Sequence, residues 1–132
     1  MIQRPFFFRA GTTFALFVFF VSLSALSLVA QDVRINEFLA LNQNGLTDED
    51  GTYSDWIELF NASSADVDLE GWSLTDDAIR LDKWTFPDVT VPSGGYLLVF
   101  ASGNDRTDPG NPLHSNFKLS GSGEYLALVD AG

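Results

Sequence analysis

The sequence predicts an all-β protein, an antiparallel β-sandwich with crossover connections, and three observations carry that expectation. Roughly six to eight short runs are rich in aromatic, β-branched and leucine residues. Turn formers separate these runs at intervals near ten residues, and no ten-residue stretch spaces its apolar residues as a helix would. With 132 residues, 45% of them hydrophobic, and no cysteine, the chain has room for one globular domain whose stability must come from packing rather than disulfides.

Taken in order, Asp32 to Ala40 alternates as a first strand, with Val33, Ile35 and Leu39 on one side and Arg34 and Asn36 on the other. Glu37 falls on the apolar side, so it needs a donor or a bulge that re-aims it. Asn42-Gln43-Asn44-Gly45 ends the strand and an acidic loop, Thr47 to Ser54, follows. Asp55-Trp56-Ile57-Glu58-Leu59-Phe60-Asn61 reads as a central strand, broken only by Glu58 and closed by the turn formers after Phe60.

Asp66 to Leu74 supplies a third strand, bent at Gly71. Lys83 to Phe86 supplies a fourth, with Trp84 and Phe86 on one face and Pro87 ending its ladder. Val89 to Val91 leads into the turn Pro92-Ser93-Gly94-Gly95, after which Tyr96 to Ala101 should cross the core. Residues 102 to 116 form a long polar loop, either mobile or pinned by something specific. Phe117-Lys118-Leu119 and Glu124 to Asp130 flank Ser120 to Gly123 in the pattern of a closing hairpin.

Residues 1–30 do not belong to this fold. Arg4 and Arg9 give a basic lead, Phe14 to Val21 is an unbroken apolar run, and it continues from Ser22 to Ala30 with only small hydroxyls as polar groups. That is the layout of a secretory signal peptide. An uncleaved anchor over residues 12–30 is the rival reading, and it would be the only membrane contact. Either way residues 31–132 are expected to be exported, and to be secreted, periplasmic or at the cell surface. All eighteen acidic residues but only five of the seven basic ones follow Ala30, leaving the exported part at net −13. Such a surface stays soluble and disfavours nucleic-acid phosphates unless a cation bridges them.

The ordered set Arg34-Ile35-Asn36-Glu37, Asp50-Gly51, Asp55 to Asn61, Leu69 to Asp76, Trp84-Thr85-Phe86-Pro87, Pro92 to Tyr96 and Phe117 to Ser120 resembles the lamin tail domain family. The resemblance spans about residues 33 to 130 and implies an immunoglobulin-like antiparallel β-sandwich. It also implies a non-catalytic interaction or tethering module, as in exported bacterial proteins where such domains accompany nucleases, phosphoesterases or kinase-like domains. Family members continue past the segment resembling Tyr125 to Leu128. One or two closing strands are therefore expected beyond Gly132, and a chain stopping there is expected to aggregate through an unpaired edge.

Candidate chemistry is sparse. Asp48, Asp50 and Asp55, helped by the carbonyl of Thr52 or Tyr53, are the candidate ligands of a Ca²⁺ ion, the one cofactor the residues suggest, although the spacing is not that of an EF-hand. Asp76, Asp77 and Asp82, with Asp105 and Asp108, could add a second cation site, but read first as turn residues whose side chains bond nearby backbone amides. His114 is the only histidine, which argues against zinc. Ser63, Ser64, Ser120 and Ser122 lack a nucleophile-elbow pattern, and Glu37 and Glu58 read as structural, so no enzyme is expected. Trp56 and Trp72 read as core; Trp84, beside Asp82 and Lys83, is the candidate ligand-facing aromatic. Asn61-Ala62-Ser63 matches a glycosylation acceptor. The expected function is binding of protein or polysaccharide at the cell surface. The alternatives are a calcium-stabilised binding domain or an accessory domain of a larger secreted enzyme.

Overall fold

A computed structural model describes residues 33–132; the segment 1–30 read as a signal peptide, with its anchor alternative at 12–30, lies outside the described residues. Among the described residues nine strands form: β1 (Val33–Leu39), β2 (Asp55–Asn61), β3 (Val67–Asp68), β4 (Ser73–Thr75), β5 (Trp84–Thr85), β6 (Thr90–Val91), β7 (Tyr96–Ala101), β8 (Leu113–His114) and β9 (Ala127–Val129). One layer is the sheet β1-β2-β7-β8; the other is built from β5-β4-β9 and the ribbon β3-β6. This is the immunoglobulin-like β-sandwich that the sequence predicts.

The core lies between the layers. Val33, Ile57, Leu59 and Val99 from the first sheet meet Leu69, Leu74, Trp84, Phe86 and Val91 from the second, all buried. Each such side chain contributes about 1.5–3 kcal/mol relative to exposure. β2 is central, antiparallel to both β1 and β7. Ile57, Leu59 and Asn61 face the core, while the opposite face is half covered: Phe60 stacks at 4.8 Å on Tyr96, with the Arg34 guanidinium 5.0 Å from its ring.

Glu37 finds its answer in a bulge. The β1–β2 register steps from Ile35↔Leu59 to Glu37↔Glu58, so Asn36 is the extra residue. The step turns Glu37 outward and brings Phe38, rather than Leu39, onto the core face opposite Ile57. Asn36 Nδ2 donates to Glu58 Oε1 at 2.8 Å, which satisfies the carboxylate in the middle of the central strand.

At the other end of β2, buried Asn61 donates to the carbonyls of Ala65 (2.8 Å) and Val91 (2.9 Å) and accepts from the Ser63 amide (2.9 Å). Both of its amide protons are thus held inside the fold, which leaves the Asn61-Ala62-Ser63 pattern no free nitrogen to glycosylate. The expected closing hairpin does not form. β9 instead crosses to the second layer and pairs with β4, Leu74 opposite Leu128. Lys118 bridges Ser102 at the end of β7, and buried Phe117 and Leu119 anchor that segment in the hydrophobic core.

Candidate functional site

The acidic loop and the long loop meet where β2 begins and β7 ends. The loop is knotted on itself first. Asp48 accepts the amides of Thr52 (2.9 Å) and Asp50 (3.1 Å) and the Ser54 hydroxyl (2.7 Å), with Gly51 at φ 75° making the turn. Burial pushes the Asp48 carboxyl up, but the Ser54 hydroxyl and the two amides outweigh it and hold the group below its ordinary range.

The knot is then fastened to the long loop. The Arg106 guanidinium reaches both Glu49 and Asp50. Glu49 also faces Nε2 of His114 at 3.0 Å, and Nδ1 of the same ring meets the Ser102 hydroxyl at 2.7 Å. His114 is 0% exposed and its ring lies 5.2 Å from Phe100. In the neutral imidazole the proton faces the Glu49 carboxylate, so Nδ1 accepts from Ser102. The His114 bond above all, with Arg106 adding to it, pushes the Glu49 carboxyl down to about 2. Arg106 in turn pairs backbone with His114 across residues 106–114, which answers what pins this long polar segment.

Ser102, His114 and Glu49 have the composition of a nucleophilic triad, but not its access. The histidine ring is sealed, and Ser102 Oγ already accepts the Asn104 amide at 3.1 Å. The arrangement can tie two loops together, and that is the chemistry its geometry supports.

The three candidate calcium ligands are not gathered around one point. Asp48 is bonded within its own loop, Asp50 pairs with Arg106, and Asp55 accepts the Asn42 amide at 2.9 Å. Among the described residues no three His, Cys, Asp or Glu side chains converge as an ion would require. The second acidic group behaves as turn chemistry. Asp77 accepts the Ile79 amide at 2.9 Å, Asp108 accepts the Gly110 amide at 3.0 Å, and Asp76 pairs with Lys83.

Trp84 requires correction as a ligand-facing aromatic. It is 2% exposed and packs edge-on against Phe86 at 4.9 Å. The pairing Leu74↔Trp84 between β4 and β5 decides this, because residues directly opposite share a face and that face is the core. Among the described residues the exposed aromatics are Phe38, Tyr53, Tyr96 and Tyr125.

Sequence reasoning missed the His114, Glu49, Ser102 and Arg106 set. The one available signal was Leu113-His114-Ser115, a short run with an apolar lead inside an otherwise polar loop; its first two residues form β8 and all three are buried.

No curated protein matches the chain. The family model described as Lamin Tail Domain matches residues 28–132, which include every strand described above. With that match and the two-layered sandwich in agreement, the chain belongs to the lamin tail domain family.

Proposed function

We propose that the protein is an exported, non-catalytic interaction module that binds a protein partner at the cell surface. Lamin tail domains are β-sandwich interaction domains, and this chain carries that sandwich. The observation that carries the reading is the state of the reactive side chains: His114, Ser102, Glu49 and Arg106 are bonded to one another as a loop fastening, with the histidine sealed from solvent. Export rests on the basic lead and apolar run of residues 1–30, and on the acidic balance that follows them.

Cell-envelope preparations test the proposal. Saturable retention of the full chain, abolished when the envelope is treated with protease, is the expected result. Retention abolished by polysaccharide-degrading enzymes instead would move the ligand to a glycan. Turnover of a p-nitrophenyl ester, phosphate or glycoside by the pure chain, lost in His114→Asn, would overturn the non-catalytic reading.

A further inference from the structure

We propose that the outer edge of β1, with the apolar cleft beside it, receives an extended basic segment of a partner protein by strand addition. The proposal rests on the interaction reading above and names the surface and the partner's chemistry.

β1 is an edge of its sheet, and among the described residues no backbone group bonds to its outer side. A seven-residue edge strand presents a row of donors and acceptors that another chain can pair with. Its first half is blunted by Arg34 and by the bulge at Asn36, so the usable edge begins at Glu37.

The cleft lies beside that second half. Phe38 has the core-facing register opposite Ile57, yet it is 55% exposed. It borders a cleft of about 100 Å³ lined also by Ala40, Leu119, Leu126 and Glu124. Leu41 follows Ala40 of the cleft wall. It holds φ at 60°, a left-handed conformation that costs a non-glycine residue about 1–3 kcal/mol, and it is still 64% exposed. Its side chain lies over Gly121 so closely that a Cβ there would meet Leu41 Cδ1 at 2.2 Å. Strain that displays a leucine rather than burying it marks a contact surface, as does a run of large apolar side chains in solvent.

Charge selects the occupant. Glu37 stands on the outer face of the edge and Glu124 on the cleft wall, in a chain of net charge −11. An added strand with alternating side chains would send one apolar residue into the cleft and set basic residues beside Glu37. Two copies of this chain repel one another, so a basic segment is favoured over a second copy at this edge.

The probe is the peptide acetyl-Lys-Val-Lys-Phe-Lys-Val-Lys-amide, titrated into the full chain and followed by amide hydrogen exchange. Saturable binding with protection of the Glu37 to Ala40 amides is expected, weakened about tenfold or more in Phe38→Ala. Glu37→Lys, a change at an exposed position, is expected to weaken binding several-fold whatever Phe38→Ala does to folding. No binding, equal binding by the Glu-for-Lys peptide, protection confined to residues 48–54, or a dimer of the chain alone that Phe38→Ala dissolves would each overturn the proposal. Retention on envelope without peptide binding overturns this inference alone, whereas loss of both overturns the interaction reading as well.

Discussion

Two regions flank the Phe117–Leu119 segment, Lys118 lining a polar cleft with Ser102 and Asp55, and Leu119 lining the apolar cleft with Phe38. Around His114, carboxylates, hydroxyls, a guanidinium and an imidazole are bonded to one another, and the loops they belong to are fixed. Along β1, backbone groups face outward among the described residues, Phe38 and Leu41 stand in solvent, and one backbone angle is strained. The polar region looks functional by composition, but His114, Ser102, Glu49 and Arg106 already have partners in one another. The apolar one is plain in composition and retains unsatisfied binding capacity, so recognition is expected there.

The contrast can be broken most directly at His114. Replacing it with Leu removes the buried ring that joins the Ser102 hydroxyl to Glu49 and should cost about 2–3 kcal/mol, read from the urea midpoint at constant m-value. Phe38→Ala, in the same assay, should cost less than about 1 kcal/mol because the ring is half in water already. Equal losses from the two would erase the distinction between a fastened region and an open one.

Acid sharpens the comparison. Glu49 titrates near 2 in the folded chain against an ordinary 4.5, so its contribution to stability is full above about 4.5 and is lost as pH falls from there through about 2. Protection factors of the Asp50 and Thr52 amides should decline across that window while those of β1 hold. A parallel decline in both regions would show global unfolding rather than release of the loop.

Smaller effects follow. Arg106→Ala removes a partly exposed guanidinium from Glu49 and Asp50, and should lower the urea midpoint by less than His114→Leu does, and by less still in high salt. Calcium at about 5 mM should move the melting temperature by less than about 1 °C, since Asp48, Asp50 and Asp55 have separate partners. A rise of several degrees would show that an ion draws them together.

Much of the fold was legible because strand signals are local. β2 and β7 were readable as apolar runs bounded by turn formers, and the mismatch of Glu37 with the alternation announced the bulge that β1 contains. The final hairpin was misread because Ser120 to Gly123 does form a turn, with the Gly123 amide on the Ser120 carbonyl, yet that turn does not fix which strand receives β9. The same limit applied to Trp84: its polar neighbours Asp82 and Lys83 suggested exposure, and only the pairing with β4 set its face.

The sequence by itself determined the class of fold, the family, the central strand and the acidic charge, all consequences of composition and of a two-residue period that can be read along a single run. The tertiary structure alone decided that His114 joins loops whose bonded residues lie 65 positions apart, that the acidic carboxylates are satisfied internally, and that Phe38 is left uncovered. Those outcomes depend on which segments become neighbours across the sandwich, and hydrogen-bond partners distant in sequence leave no local pattern from which their meeting could be read.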